Sequence, residues 1–386
     1  MEVIQVYNLA NTAANEAIGT ENILQESLAN LVDVGTQIFN AEAVDRYVRS
    51  LVNQIGKIIF VSRPYRGSIP SVLMDAWEFG SVLEKITVEL PEATENESWE
   101  LVDRASYDPN IFYKPQVSAK FFNKKVTFEV DMSFTEMQVK QSFQNATQLN
   151  SFLSMLYTAV EKSMTIKTDA LVMRTINNFI GETVYADYEG RSLSASSGVR
   201  AINLLKLYKD RYADASALTP AQAVTTPEFI RFAAYTMGNY IDRLTRISTL
   251  FNIGGKDRFT PKDMLHVVML SDFRNAADIY LQSDTFHDAY TALPNAETVP
   301  YWQGSGTDFR FENVSKINVT TTGNHNVEVG GILAIMFDRD ALGVSNLSRR
   351  VTTNYNAKAE FWNNFYKFDA GYFNDQNENF LVFFVA

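Results

Sequence analysis

The chain has no cysteine, which excludes disulfides, thiol nucleophiles, iron–sulfur clusters and cysteine-ligated zinc. Noncovalent packing must hold it together. Basic residues are outnumbered, 34 Lys and Arg against 45 Asp and Glu for a formal net charge of -11, so a general attraction to phosphates or anionic lipid, and with it sequence-reading DNA binding, is not expected. The three histidines, His266, His287 and His325, show no HExxH or paired spacing that would bring two onto one metal ion. The longest apolar run, Phe380 to Ala386, is far short of a membrane span, and Met1-Glu2-Val3 begins no basic-then-apolar leader. A soluble protein of a cytoplasmic compartment is expected.

What is abundant is bulk. Hydrophobic residues make up 46% of 386 and charged ones 20%, enough for two or three packed domains and incompatible with disorder. The 27 Phe, 18 Tyr and 4 Trp amount to 13%, so much aromatic surface must be buried inside the protomer or between protomers.

Residues 1–40 are polar, with scattered apolar positions (Ile23, Leu24, Leu28, Leu31), and are expected to form a mobile arm that becomes an amphipathic helix against a partner surface. From Asn40, Val44, Tyr47, Val48, Leu51, Val52 and Ile55 keep helical spacing up to Gly56, and 57–61 is a short strand. Ile86, Val88 and Leu90 alternate with polar residues, as do Val126, Phe128, Val130, Met132 and Phe134. If these two strands pair, 91–125 is a long excursion that needs a neighbour to lean on. No Gly or Pro occurs from Gln116 to Ile180, and Leu149, Phe152, Leu153, Leu156, Tyr157, Val160, Met164, Leu171, Val172, Ile176 and Phe179 form one apolar stripe. A single strut helix from about Asn145 to Ile180 follows. After a Gly/Ser-rich turn region at 181–198 come a helix at 227–246, a strand at 265–270, a helix at 272–281, strands at 307–320 and 332–337, an aromatic block at 360–372, and a last strand at 380–386 that must be covered on both faces.

Chemistry is sparse. Asn252-Ile253-Gly254-Gly255-Lys256-Asp257 lacks the first glycine and the Ser/Thr of a phosphate loop, and Gly304-Ser305-Gly306-Thr307 has neither strand before it nor helix after it. Both are turns. The best enzyme lead is a divalent-metal site from Asp338 and Asp340, at the end of one buried strand, with Asp272 at the end of another. Nothing supplies a base, phosphate clamp or substrate pocket beside them. The cluster Lys120, Phe121, Phe122, Lys124, Lys125 suits a protein contact with acidic groups such as Glu92, Glu95, Glu97 and Glu100 better than a nucleic-acid platform on so acidic a chain. Arg349 and Arg350 suit an ion pair at a domain or subunit edge.

The order of elements, with the segment Val44-Asp45-Arg46-Tyr47-Val48-Arg49-Ser50-Leu51-Val52-Asn53-Gln54-Ile55-Gly56 and the block Ala359-Glu360-Phe361-Trp362-Asn363-Asn364-Phe365-Tyr366 before a final apolar strand, resembles the major capsid proteins of tailed bacteriophages, above all short-tailed, small-headed ones, over about Val44 to Ala386. That resemblance implies an α+β fold of the Hong Kong 97 type. It divides the chain into an N-terminal arm (1–40), a first part of the peripheral domain (41–82), an extended loop (83–134), a spine helix with peripheral domain (135–198), an axial α/β domain (199–341) and a C-terminal return (342–386).

The function it implies is a structural head protein, not an enzyme and without cofactor, assembling into hexamers and pentamers of an icosahedral or prolate shell around double-stranded DNA, bound without sequence-specific contact. Portal protein and, since forty polar residues are too few for a built-in scaffold, a separate scaffolding protein are the implied partners; no membrane is involved, and assembly takes place in the host bacterial cytoplasm. Contacts between subunits are expected at Trp99, Glu100, Lys120, Phe121, Phe122, Lys124, Lys125, Arg349 and Arg350, with Trp99, Phe121 and Phe122 as apolar anchors. Lys124, Lys125 and Asn356 are of the residue types that crosslink in some relatives, but an uncrosslinked shell is favoured. A cellular nanocompartment shell of the same fold, a tail or adaptor protein and the Asp272/Asp338/Asp340 metal enzyme stay open as alternatives.

Overall fold

The computed structural model describes residues 3–18, 69–74, 83–91, 100–106, 112–138, 146–282, 296–304 and 308–386, together with ten isolated positions between 33 and 110. In chain order they form α1 (Val3–Ile18), β1 (Leu73–Met74), β2 (Leu83–Val88), β3 (Val117–Phe122), β4 (Lys125–Thr135), α2 (Ala146–Tyr188), β5 (Ala201–Asn203), α3 (Leu204–Arg211), α4 (Pro220–Ala223), α5 (Pro227–Leu244), β6 (Leu265–Leu270), α6 (Ser271–Gln282), β7 (Glu297–Val299), α7 (Phe311–Val314), β8 (Ile317–Thr320), β9 (Asn326–Val329), β10 (Ile332–Asp338), β11 (Leu342–Asn356), β12 (Phe361–Asn374) and β13 (Phe380–Phe384). The class is α+β, as expected. Contacts divide the chain into one unit of Met1–Ala76, Lys125–Thr175 and Val344–Gly371 and another of Trp77–Lys124, Ile176–Gly343 and Tyr372–Ala386.

The first unit is built on a sheet of order β1-β11-β12-β4. β4 and β12 run antiparallel from Phe361 opposite Thr135 to Gly371 opposite Lys125. Alternation gives this pair two unlike faces. On one, Phe128 packs on Phe368 at 5.1 Å and Phe134 on Trp362 at 6.1 Å; on the other, Lys367 meets Glu129 at 2.9 Å and Asp369 gathers Thr127, Ser348 and Arg350. The alternation of β4 was legible, but its partner was not: β2 pairs with β3 and β4 with β12. Five alternating apolar residues of β4 need a broad cover, and the aromatic residues of β12 supply it. Within 1–40, α1 is a formed helix whose Ala10, Ala13, Ala14 and Ala17 are fully buried, at the i, i+3, i+4, i+7 spacing of one face. Ile23, Leu24, Leu28 and Leu31, the strand at 57–61 and most of the helix expected at 40–56 lie outside the described residues; Arg46, Tyr47 and Ser50 are helical.

The second unit holds a five-stranded mixed sheet, β5-β13-β10-β6-β7. β10 and β13 are buried at every position, as continuous apolar runs at the centre of a covered sheet should be. Gly331, at φ +72, turns the chain into β10 where any Cβ would collide with the Val385 carbonyl. The strut helix is longer than expected. α2 runs 43 residues to Tyr188, about 64 Å at 1.5 Å per residue. Gly181 does not end it: the glycine leaves room for the Val319 side chain, and the helix stops at Glu189 and Gly190, both with positive φ. From residue 159 on the expected stripe is in place, with Val160, Met164, Leu171, Val172, Ile176 and Phe179 buried and Phe179 stacked on Phe380 at 4.1 Å; the side chains of Leu149, Phe152, Leu153, Leu156 and Tyr157 lie outside the described set. In place of one strand through 307–320 the chain forms α7 and then β8; residues 305–307 lie outside the described set.

Candidate subunit-contact surface

β2 and β3 make a separate two-stranded ribbon. Residues directly opposed across it share a face: Leu83 with Phe122, Lys85 with Lys120 and Thr87 with Ser118 on one, Glu84 with Phe121, Ile86 with Ala119 and Val88 with Val117 on the other. A pair of strands alone is marginal in water, and two lysines facing each other would weaken it further. The turn between β12 and β13 resolves both problems. Asp375 accepts from Lys120 at 2.9 Å and faces Lys85 at 3.0 Å, and one Glu378 oxygen accepts from Lys85 at 2.6 Å and from Arg258 at 3.1 Å. Both carboxylates are buried, so the attraction is poorly screened. Burial alone would raise the Asp375 carboxyl, yet Lys120 and Lys85 outweigh it and hold it below the usual range; burial alone would lower the Lys85 ammonium, and Glu378 and Asp375 leave it raised. Phe122 packs on Phe373 at 5.0 Å, and Lys256 pairs with Glu89 at 2.6 Å just past β2.

Apart from Glu84, the opposite face of the ribbon is apolar, and it is exposed. Ile86 is 62% exposed, Val88 55%, Val117 59% and Phe121 61%, with Leu90 beyond them also exposed. Exposed apolar patches of this kind mark interaction sites.

Of the expected contact residues, Phe121 lies on this outer face, while Glu100, Lys124 and Lys125 are exposed elsewhere. Phe122 and Lys120 point the other way: Phe122 is buried in its own chain, and Lys120 meets Asp375 rather than the acids of 92–100. The reason is the parity of the strand, which sends neighbouring residues to opposite faces. Trp99, Glu92 and Glu97 lie outside the described residues. Arg350 binds Asp369 at 2.8 Å within its own sheet, and Arg349 is half-buried, its guanidinium lowered by burial. Asp375, Glu378 and Arg258 were not singled out in the sequence; more than a hundred residues separate Lys85, Arg258 and the turn that carries Asp375 and Glu378 from one another, and no local spacing could have linked them.

Among the described residues the three carboxylates of the enzyme lead do not gather into a site. Asp338 is buried and accepts from the Thr260 hydroxyl at 2.7 Å and the Asp340 amide at 2.9 Å, the bonding of a structural carboxylate. Asp272 is exposed in the first turn of α6, and among the described residues no three His, Asp or Glu converge as a metal would require. Asn252 closes the Gly254-Gly255 turn by bonding both the amide and the carbonyl of Lys256, and His325 stacks on Tyr185.

The family model of Phi29-like phage major capsid proteins matches residues 8–384. The chain belongs to that family. It is thus a structural head protein that self-assembles into a virion shell, and the α+β fold is of the Hong Kong 97 type that the sequence resembles. Among solved structures, the capsid of Staphylococcus phage Andhra is similar at 10% identity and TM-score 0.49, covering 84% of this chain and 86% of that one. The mature capsid of bacteriophage PhiM1 is similar at 6% identity and TM-score 0.42, covering 84% and 89%. The capsid of the cyanophage P-SCSP1u is similar at 9% identity and TM-score 0.42, covering 84% and 90%. No curated protein matches.

Proposed function

We propose that this capsid chain forms hexamers and pentamers that close into an icosahedral or prolate head around double-stranded DNA, in a short-tailed, small-headed phage. Residues 83–134 act as the extended loop laid over an adjacent subunit, 135–198 as spine and peripheral domain, 199–341 as axial domain, and 342–386 as the return, with 1–40 as arm and 41–82 as the first peripheral segment. A separate scaffolding protein and a portal take part, assembly takes place in the bacterial cytoplasm, and the chain is not an enzyme. The observation that carries the loop assignment is the apolar face of Ile86, Val88, Val117 and Phe121, exposed on a ribbon whose other face is fastened to its own chain. Phe121 takes the anchor role there; Glu100, Lys124, Lys125 and Arg349 are rim contacts that set register more than affinity. An acidic shell, at net charge -11, releases DNA rather than gripping it.

Co-expression with the scaffolding protein, followed by negative-stain microscopy, tests the reading. Closed shells or capsomers are expected. Monodisperse monomer by light scattering at high concentration, with scaffold present, would overturn it, and tubes or open rings would reassign the chain to a tail or adaptor role.

A further inference from the structure

The second unit carries an open groove of about 1170 Å³ between the end of α3 and the first turns of α5. Its floor is aromatic. Tyr208 is buried edge-on against Phe229 at 5.5 Å and tilted against Phe232 at 5.3 Å, while Tyr212 and Tyr235 keep much of their rings in solvent. The Arg211 guanidinium stands 5.8 Å from the centroids of both exposed rings, a flanked cation held ready for a carboxylate. Arg231 adds a second positive charge to the lining, and Asp214 and Glu228 supply negative ones.

A complementary knob is present on the same chain. At Glu100-Leu101-Val102-Asp103-Arg104 the chain makes a turn closed by the Ala105 amide on the Val102 carbonyl at 3.2 Å, with Arg104 in the left-handed region at φ 67. Leu101 and Val102 are 64% and 67% exposed. The Asp103 and Arg104 side chains are almost wholly in water. An acid, two apolar residues, an acid and a base thus project together, and no residue of this turn lines the groove of its own chain.

We infer that the aromatic–arginine groove receives the 100–104 turn of a second copy, with Leu101 and Val102 over the tyrosine rings, Glu100 and Asp103 toward Arg211 and Arg231, and Arg104 toward Asp214 and Glu228. This rests on the reading of the chain as a shell protein. Two different patches that match each other make a heterologous contact, the kind that repeats around a ring, and the paired charges fix its register.

Leu101→p-benzoylphenylalanine, built into the full chain and irradiated in particles mixed from light and isotope-labelled copies, tests the contact directly. Bonds between copies joining position 101 to peptides spanning 205–240 are expected in particles and not in unassembled protein. Bonds to another part of a second copy, or to the scaffold, would overturn the inference while leaving the shell intact. If unmodified chain forms no shell, the shell reading itself fails. As a second measurement, Asp103→Arg and Arg211→Asp should each cut particle yield about tenfold, and the double exchange should restore most of it; a double variant no better than either single one would overturn the pairing.

Discussion

Asp369 shows how one side chain ties three strands together. It lies on the polar face of β12 and accepts from Thr127 on β4 at 2.5 Å and from Ser348 and Arg350 on β11 at 2.9 and 2.8 Å. The hydrogen bond from Arg350, helped by those from Thr127 and Ser348, holds its carboxyl down at about 2. A carboxylate held below its unfolded value, near ~3.9, stabilises the fold above that value, and the contribution is lost as the pH falls toward the folded one. Arg350→Met should therefore lower the urea midpoint at pH 7, with the gap to the parent chain narrowing below about pH 4 and closing near pH 2. A gap that stays constant from pH 7 to 3 would mean that Arg350 acts through packing of its stem rather than through Asp369.

Among elements, those whose burial is written in large apolar residues could be read from sequence. The continuous runs of β6, β10 and β13 and the stripe on α2 are of this kind. α1 was not legible as a packed helix because its buried face is alanine, which carries little hydropathy but allows close approach. The end of α2 was misplaced because a glycine required by Val319 resembles a helix stop. The ribbon was misread more deeply: alternation tells which face of a strand is buried and not which strand lies beside it, and the residues that fasten its inner face lie in a turn some 255 and 293 positions away.

That fastening makes a prediction at the element scale. The depressed Asp375 contributes above its unfolded value near ~3.9 and the raised Lys85 contributes below its own near ~10.4, so the network is at full strength between roughly pH 4 and 10. Asp375→Asn removes the charge shared by the two lysines. With Glu378 still in place and Lys120 partly open to water, the cost should be about 1–3 kcal/mol, less than for a fully buried pair. The signature should be local: faster proteolysis and amide exchange at 83–88 and 117–122 in the variant, and in the parent chain only below about pH 4. Uniform loss of protection across β10 and β13 would show instead that the turn supports the whole sheet.

For the whole molecule, self-assembly without cysteine, between copies that each carry a net charge of -11, sets apolar burial against mutual repulsion. Copies repel over about a Debye length, ~10 Å at 0.1 M salt, so salt should favour assembly wherever buried area dominates and oppose it wherever ion pairs do. The outer face of the ribbon offers area. Covering the part of Ile86 and Phe121 that is still exposed, 62% and 61%, is worth about 1–2 kcal/mol apiece, and a closed shell built on that contact would repeat it for every chain. Ile86→Ser with Phe121→Ser should thus lower the monomer's thermal midpoint by only a few degrees, since both side chains are mostly in water already, while abolishing shells at concentrations where the parent chain assembles completely. The parent chain should keep assembling as NaCl rises to about 0.5 M, because screening weakens the repulsion between copies more than it weakens a contact made of Ile86, Val88, Val117 and Phe121. A double variant that still closes shells would move the apolar contact off the ribbon, and assembly that collapses with salt would make ion pairs, not buried area, the force that holds the head together.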